Sequence, residues 1–382
     1  MTKAINIYQP SLGAEELASV ASVFESNWIG RGSKTSEFET SFAESCGLSP
    51  ESFVTTTSCT EALFQILSYL RLAEDDQIII PSISFIGAYN AIIASGAQPV
   101  LCDVDPYSLN PNLEHILEKV TEKTRAMLLI HYGGIPIRDM SLIIDFCDSN
   151  DIILIEDNAC SPFSEICGVR TGTLGAFGAW SFDAMKILCC GDGSIIYGKS
   201  IDDVNNLRRR LYMGLTSRSG FSSDAESEWW AFDIDEPTSR QIMNDITASI
   251  ALAQLKKIPL FLSRRKEIAE FYDAHLNIEH KSNHFASKQS KSSYYMYWIT
   301  LESREFRNRI ASALKHNGVY TTFRYYPLHR VTGIINRGLE IDPGSLVGSD
   351  FAADRTLCIP LHQSLSDDDI LKVASLINQY SY

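Results

Sequence analysis

The segment WSFDAMKILCCGDGS, from Trp180 to Ser194, contains several residue types that could do chemistry. Lys186 follows an apolar, strand-like run, AFGAWSF, and lies in apolar surroundings. Burial lowers the pKa of a lysine, so that its amine becomes a usable nucleophile and base. A lysine whose stem packs while its head reaches water is the ordinary alternative, and the local sequence alone favours it. The role of Lys186 therefore depends on what the fold brings beside it.

Three further stretches carry groups that could complement this lysine. Asp157 ends the apolar run DIILIED, and a buried carboxylate there needs a cationic or hydrogen-bonding partner. Residues Ser58–Thr60 begin an apolar-periodic helix, where hydroxyls and free N–H groups either bind an anion or form an ordinary N-cap. Ser181 could add a hydroxyl, and Phe85 could lie flat against a ring. Amine, carboxylate, anion cradle and aromatic face together meet the requirements of pyridoxal 5′-phosphate (PLP).

Alternating strands and helices must position these groups. The runs QIIIP, QPVLCDV, RAMLLIHY and DIILIED are short, apolar and rich in β-branched residues, and helix-like stretches at 86–94, 112–120 and 139–150 separate or follow them. Such an alternation predicts a parallel sheet covered on both faces. Ligands of these sheets bind beyond the carboxyl ends of the strands, where Asp157 is expected.

The C-terminal third of the chain is expected to form a smaller α+β domain. A helical pattern runs from Met243 to about His275 and links the two parts. After it we predict strands at YYMYWITL and VYTTFRYY, a helix at 304–316 and a final helix whose N-terminus is capped by Ser366 with Asp369. The stretch TSRSGFSSDAESEWW reads as an exposed loop. We therefore expect a large PLP-binding α/β domain at 1–258 and a small domain at 259–382.

Composition argues against several classes of partner. The 382 residues carry a net charge of −14, so an extended basic surface for nucleic acid is not expected. We find no signal peptide and no apolar run of membrane-spanning length, which predicts a cytoplasmic protein without a membrane partner. Nine cysteines without a C-x-x-C pair, and histidines without ligand spacing, predict neither a disulfide framework nor a metal site.

Taken in their order and spacing, several motifs resemble those of the DegT/DnrJ/EryC1/StrS sugar aminotransferases, which are PLP-dependent enzymes of fold type I (aspartate aminotransferase-like). The resemblance extends over nearly the whole chain. The motifs that carry it are NWIGRGSKTSEFE, SCTEAL, IIIPSISF, AQPVLCDVDPYSLN, IHYGG, IEDNAC, WSFDAMKILCCGDGS, MNDITASIALAQL and FRYYPLH.

The resemblance implies catalytic roles for two residues. Lys186 matches the lysine that forms the internal aldimine and shuttles the proton, and Asp157 matches the acid that keeps the pyridine nitrogen protonated.

The resemblance also implies binding roles. Thr60 and the backbone near Cys59, beside Ser58, match the phosphate cradle, with Ser181 as its side-chain partner and Phe85 as the stacking aromatic.

For the substrate, the resemblance implies contacts by two pairs of residues. Arg324 and Tyr325 match a His-Tyr pair that in relatives reaches the nucleotide sugar from the neighbouring subunit. Trp28 and Ile29 match a glycine-flanked loop near the same pocket. We therefore expect a homodimer with shared active sites.

Three positions depart from the family pattern. Cys160 occupies the place of a glutamine near the ring hydroxyl of the cofactor, and a thiol is a weak donor. Arg240 falls where relatives carry an asparagine that reaches the other subunit's phosphate, so it either binds phosphate or forms a structural ion pair. Arg324 replaces the usual histidine. Cys189 and Cys190 are interpreted as packing residues, and Gly191–Ser194 as a tight turn.

The leading hypothesis is a PLP-dependent aminotransferase that moves an amino group from L-glutamate to a nucleotide-linked 3- or 4-keto-deoxysugar. The cofactor would alternate with pyridoxamine phosphate in a ping-pong cycle. A cyclitol ketone is an alternative substrate, and a non-catalytic regulator is an alternative class. Some relatives are deoxysugar dehydratases with histidine in place of the lysine, and Lys186 argues against that activity.

Overall fold

A seven-stranded sheet forms the centre of the protein in the computed structural model, which describes residues 4–216, 232–282, 288–336 and 344–381. The strands follow one another in the order β1-β9-β8-β5-β4-β2-β3. Neighbours from β8 to β3 are parallel, whereas β9 is antiparallel to both β8 and β1. The sheet strands are β1 (Phe53–Thr56), β2 (Gln77–Pro81), β3 (Gln98–Cys102), β4 (Thr124–Ile130), β5 (Ile153–Asp157), β8 (Phe177–Ser181) and β9 (Ser194–Gly198).

Alternate residues of these strands enter two different cores. Ile78 and Ile80 of β2 pack with the first helix that follows β1, whereas Ile79 packs on the opposite face with the helix that precedes β5. Because side chains alternate across a strand, a continuous apolar run is the pattern expected of a strand buried on both faces. The predicted parallel sheet is thus present, with one antiparallel strand, β9, that the sequence did not reveal.

Helices cover both faces of this sheet and build most of the C-terminal part. The helices with their bounds are α1 (Ala14–Glu25), α2 (Ser33–Cys46), α3 (Cys59–Leu70), α4 (Ile86–Ser95), α5 (Leu113–Leu117), α6 (Met140–Ser149), α7 (Ile201–Arg210), α8 (Asp245–His275), α9 (Arg304–His316), α10 (Thr332–Ile335), α11 (Val347–Arg355) and α12 (Asp367–Tyr380). Ser366 and Asp369 form the predicted capping box of α12.

Two small sheets complete the architecture. One has the order β10-β12-β13 and packs with α9 and α12, and the other has the order β11-β6-β7. Their strands are β6 (Glu165–Ile166), β7 (Val169–Arg170), β10 (His280–Lys281), β11 (Ser290–Lys291), β12 (Tyr297–Thr300) and β13 (Thr356–Ile359). The strand predicted at 319–326 is wrong, because this segment makes only isolated bridges from Val319 to Ile5 and from Thr322 to Cys358. The predicted loop at 216–230 lies almost wholly outside the described residues.

The long helix α8 belongs to both parts of the molecule. Its first half contributes Leu252 and Phe261 to the core around α2, and its second half contributes Ile268 and Tyr272 to the core of the C-terminal sheet. The boundary predicted between 258 and 259 falls inside this helix and stays a prediction. By length and composition α8 could also cross a membrane, but 44% of its most apolar stretch is buried and core helices pass the same test, so this evidence is weak.

The carboxylate of Asp245, the first residue of α8, fixes the start of α2. It accepts hydrogen bonds from the backbone N–H groups of Gly32, Lys34 and Thr35 and from the Thr35 hydroxyl, over 2.7–3.2 Å. The first N–H groups of a helix have no partner within the helix, and a carboxylate satisfies them well. The N-terminal loop is therefore tied to α8 before the chain enters the sheet.

Glu39 is a second buried carboxylate, and it joins α2 to β1 and α7. It pairs with Arg31 at 2.7 Å and with Arg208 at 3.1 Å, and accepts two hydrogen bonds from Thr55. Burial opposes its charge, but the two arginines outweigh burial and hold the pKa of the Glu39 carboxyl below its ordinary value.

Candidate active site

Lys186 lies just beyond the carboxyl end of β8 and is 7% exposed. Its Nζ stands 4.8 Å from the ring centroid of Tyr295. Burial opposes the charge of the amine, but the acidic groups of Tyr295, Cys160 and Asp157 favour it and raise the pKa of Lys186 above its ordinary value. The expected lowering of this pKa is therefore wrong, because burial is not the only influence on the amine. The amine can hold a proton inside the protein and return it.

Asp157 ends β5, the strand beside β8, so its carboxylate and the Lys186 amine share one edge of the sheet. The side chain is buried and accepts one hydrogen bond, 3.0 Å long, from the backbone N–H of Ala159. Burial raises the pKa of the Asp157 carboxyl, while Ala159, Lys186 and His131 act against that rise. A buried acid with a single strong donor is suited to hold a cationic N–H group, such as a protonated pyridine nitrogen.

Glu156 precedes this acid and is fully buried, and no sequence motif marks it. Its carboxylate accepts hydrogen bonds from His131 Nε2 at 2.9 Å and from the N–H groups of Gly172, Leu174 and Gly175 at 2.8 Å each. The Ile137 N–H donates to His131 Nδ1 at 3.1 Å, so the ring proton is on Nε2. Glu156 thereby fixes both the imidazole and the turn that leads into β8.

The N-terminus of α3 forms the candidate anion cradle at the same edge of the sheet. Ser58 is the N-cap, and its hydroxyl accepts a hydrogen bond from the Glu61 N–H at 3.1 Å. Cys59 and Thr60 occupy the first turn, where backbone N–H groups have no acceptor within the helix. Ser181 ends β8 and is 7% exposed. These positions fit the phosphate-binding roles that the resemblance implies.

A glycine keeps open the space between this cradle and the aromatic platform. A Cβ atom on Gly87 would lie 2.8 Å from the ring of Phe85 and 2.9 Å from the Thr60 hydroxyl. Phe85 is the N-cap of α4, and its partly exposed ring lies 5.4 Å from that of Tyr325. The amine, the buried acid, the helix N-terminus and the ring thus fit PLP, which Lys186, Asp157, Ser58–Thr60, Ser181 and Phe85 could hold together.

Cys160 and Tyr325 interact directly in the wall of this site. The Cys160 thiol is fully buried and lies 3.5 Å from the Tyr325 hydroxyl. The Arg324 guanidinium is 5.2 Å from the ring centroid of Tyr8, and its charge acts on Lys186. Arg324 and Tyr325 therefore lie beside Lys186 of their own chain, so no second subunit is needed to bring them there.

Three of the predicted binding residues lie on the surface, away from these groups. Trp28 is 60% exposed and Ile29 is 56% exposed, and the Trp28 indole donates to the Arg31 carbonyl at 3.0 Å. The guanidinium of Arg240 is exposed, 5.4 Å from the ring centroid of Tyr212, and makes no ion pair within the described part of the chain. The structure does not bring these residues to Lys186, and their roles stay predictions.

Other residues near the lysine have structural roles. Cys189 and Cys190 are buried free thiols, as expected of packing residues, and Gly191 and Gly193 take positive φ angles in the turn before β9. Within the described ranges, no cluster of three or more His, Cys, Asp or Glu side chains could hold a metal ion.

Two features of the site carry no sequence motif. The buried hydroxyls of Tyr8 and Tyr295 interact with the cations Arg324 and Lys186, and the buried hydroxyl of Tyr132 interacts with the Cys358 thiol. Arg265 of α8 is also buried, and its guanidinium donates to the carbonyls of Tyr294, Tyr295 and Leu361 and to Gln363 Oε1, over 2.9–3.3 Å. In the sequence, only the tyrosine-rich composition of 294–297 hints at the buried tyrosine hydroxyls. The helical pattern places Arg265 on a buried face of α8.

Comparison with known proteins places these features in context. The profile of the DegT/DnrJ/EryC1/StrS aminotransferase family matches residues 10–378. The chain is 42% identical to a dTDP-4-dehydro-2,3,6-trideoxy-D-glucose 4-aminotransferase of Saccharopolyspora spinosa, covering 97% of this chain and 95% of that protein.

Solved structures agree with the predicted fold class. The aminotransferase TlmJ from Streptoalloteichus hindustanus has a TM-score of 0.91 and 42% identity, with 98% of each chain covered. A Streptococcus pneumoniae protein in its PMP form has a TM-score of 0.90, with 98% of each chain covered, but at 24% identity it supports the fold alone. The fold-type I architecture predicted from the sequence is confirmed.

Proposed function

Because the chain belongs to the DegT/DnrJ/EryC1/StrS aminotransferase family and is a transaminase, we propose that it aminates a nucleotide-linked keto-deoxysugar with L-glutamate as donor. The carbonyl of the sugar would be at C3 or C4. The Saccharopolyspora relative is named as a 4-aminotransferase, which favours C4. The observation that carries the proposal is the pairing of a buried amine, Lys186, with a buried acid, Asp157, at one edge of the sheet.

PLP, when bound, supplies a carbonyl that accepts the amino group and a ring that withdraws electrons from the reacting carbon. Asp157 would hold the ring nitrogen in its protonated form, because an ionised acid in a buried site is stabilised by a facing N–H cation. The N-terminus of α3 would bind the phosphate, with the Thr60 and Ser181 hydroxyls as further donors. Phe85 would cover one face of the ring.

Lys186 would carry protons during the transfer. Its amine lies at the same edge of the sheet as Asp157, and in its deprotonated form it would take a proton from one carbon and return it to another. The buried position excludes water, which would otherwise compete for the reacting carbon.

We also propose a cytoplasmic homodimer. Trp28 and Ile29 are large apolar side chains left exposed, and a second copy of the chain would cover them. Arg240 is an exposed cation, and it would bind the cofactor phosphate of that second copy. In this arrangement these residues act at the partner's site, whereas Arg324 and Tyr325 act at their own.

The function is tested with the purified chain, PLP and ¹⁵N-labelled L-glutamate. Nucleotide-linked 3-keto and 4-keto sugars are screened, and the transfer of label is read by mass spectrometry. We expect visible absorbance from the bound cofactor and labelled amino sugar from at least one acceptor. Lys186→Ala should abolish the absorbance that covalent attachment to the protein gives the cofactor, measured after unbound PLP is removed and before glutamate is added, and should lower the rate at least about a thousandfold. Lys199→Ala removes an exposed lysine as the matched control. Absorbance that survives Lys186→Ala, or no transfer to any acceptor, would contradict the proposal.

A further inference from the structure

Two stacked tyrosines beside Lys186 present hydroxyl protons for which the described chain supplies no acceptor. The rings of Tyr8 and Tyr295 lie 5.4 Å apart and within 13° of parallel. Both hydroxyls are buried, and each interacts with a cation: the Tyr8 hydroxyl with Arg324 and the Tyr295 hydroxyl with Lys186. A cation can only donate to the hydroxyl oxygen, so the proton of each hydroxyl still has no acceptor among the described residues. Buried polar atoms in native proteins are almost always paired, so these two donors indicate a place for a ligand.

Arg324 adds a positive charge to the same stack. Its guanidinium lies 5.2 Å from the Tyr8 centroid and 5.5 Å from the Tyr325 centroid, and Nη1 contacts Met185 Sδ at 3.4 Å. In the part of the chain that the structure describes, it pairs with no carboxylate. A guanidinium without an acidic partner, at the mouth of a buried site, is suited to bind a planar anion through two parallel hydrogen bonds.

The main chain under this site is held rigidly by Arg265. This fully buried side chain donates to the carbonyl oxygens of Tyr294 at 3.0 Å and Tyr295 at 3.3 Å. These bonds fix the backbone of Tyr295, whose ring packs against Tyr8 and Lys186 without any ligand. Donors fixed in this way bind an anion without first paying for their own ordering.

The ligand must carry an anion next to a group that reacts at Lys186. An α-amino acid meets this requirement, because its carboxylate is attached to the same carbon as its amino group. The diphosphate of a nucleotide sugar does not meet this requirement. It is bonded to C1, and at least one other ring carbon separates C1 from the carbonyl carbon at C3 or C4. The proposed cradle for the cofactor phosphate lies elsewhere, at the N-terminus of α3.

We propose that Arg324, together with the hydroxyls of Tyr8 and Tyr295, binds the α-carboxylate of the amino donor. This inference rests on the proposed function and assigns the donor subsite within it. It also changes the expected role of Arg324 from a contact with the nucleotide sugar to a contact with the amino acid. The same three groups would bind the carboxylate of the 2-oxo acid product.

The test uses the PLP-loaded enzyme and two separate measurements. The first is the dissociation constant of α-methylglutamate, read from the cofactor absorbance, since this amino acid lacks the hydrogen that the reaction removes. The second is the pair of half-reactions, with L-glutamate and with a nucleotide-linked keto sugar. The variants are Arg324→Gln, Arg324→Lys, Tyr8→Phe and Tyr295→Phe, and the control is Arg309→Gln, which removes an exposed arginine.

We expect Arg324→Gln to raise the dissociation constant and the glutamate KM by about tenfold to a hundredfold, the loss typical of a charge-assisted hydrogen bond. Arg324→Lys keeps the charge but loses the two parallel N–H donors, so its dissociation constant should lie between those of the wild type and Arg324→Gln. Each tyrosine variant should raise the dissociation constant about threefold to tenfold. The keto-sugar KM should stay within about twofold, because this substrate makes no contact with the three groups.

Other results would overturn the inference. It fails if wild-type enzyme does not bind α-methylglutamate, if Arg324→Gln binds it as the wild type does, or if only the keto-sugar KM rises. The α-methylglutamate measurement needs no keto sugar. An enzyme that shows the expected loss in Arg324→Gln but aminates no keto sugar would leave the donor subsite standing and refute the proposed function instead.

Discussion

The Glu156 carboxylate allows a sharp prediction, because its four donors leave no place for an amide. In Glu156→Gln one oxygen becomes an NH₂ group. If the NH₂ takes the place of Oε2, it faces the Gly172 N–H and His131 Nε2. If it takes the place of Oε1, it faces the N–H groups of Leu174 and Gly175. Both orientations leave two buried donors without an acceptor.

The imidazole cannot relieve this conflict by moving its proton. Nδ1 already accepts from the Ile137 N–H, so a proton on Nδ1 would only transfer the clash of donors to the other side of the ring. A buried donor without a partner costs about 1–3 kcal/mol, so two of them cost about 4 kcal/mol. For a chain of 382 residues the entropy of unfolding is about 0.8 kcal/mol/K, and the melting temperature should fall by about 5 °C.

Scanning calorimetry and urea unfolding of wild type and Glu156→Gln measure this loss. Glu118→Gln, at an exposed position, makes the same change of charge and should shift stability by less than about 0.5 kcal/mol. A Glu156→Gln protein that unfolds within about 1 kcal/mol of wild type would refute the account of four fixed donors and of the imidazole tautomer.

Three further predictions concern other parts of the molecule. Gly87→Ala should weaken PLP binding at least about tenfold in fluorescence titrations, because its Cβ would push the stacking ring and the cradle apart, whereas Gly333→Ala, which points into open space, should not. Arg265→Met should lower the free energy of unfolding by about 3 kcal/mol in urea titrations, because it leaves several buried carbonyls without donors. Glu39→Gln should cost about 2–3 kcal/mol at pH 7. Since the pKa of Glu39 in the folded protein lies below its ordinary value of 4.5, its contribution is present above pH 4.5 and is lost as the pH falls through the folded value. The urea midpoints of the two proteins should therefore converge progressively as the pH is lowered below 4.5. A constant difference between them would contradict this sign.

The parallel part of the sheet could be predicted because each strand is a short apolar run buried on both faces. The run QIIIP coincides with β2, and the helix predicted at 304–316 coincides with α9. The strand predicted at 319–326 failed for a physical reason. Its β-branched and aromatic residues suit a strand, but the segment makes only isolated bridges. Its side chains instead contact Tyr8, Cys160 and Phe85.

The candidate site could be predicted only in part. Strand ends and a helix start marked Asp157, Lys186 and Ser58–Thr60, because the geometry of a parallel sheet collects such positions at one edge. The sequence did not reveal the roles of Glu156 and Arg265, because their partners are backbone groups, which no residue type announces. Nor could it predict the direction of the pKa shift of Lys186, which depends on side chains from three distant segments.

The helix α8 has a consequence for any attempt to divide the protein for separate expression. It passes Pro259 without ending, carries Asp245 at one end for the start of α2, and carries Arg265 further along for the main chain at Tyr295. A gene divided between codons 258 and 259 would give two fragments, and each would contain half of α8 with part of its apolar surface exposed to water. Neither fragment should be recovered from expression alone in folded form, whereas co-expression should restore activity by fragment complementation. We therefore expect any autonomously folding part of this chain to contain the whole of α8.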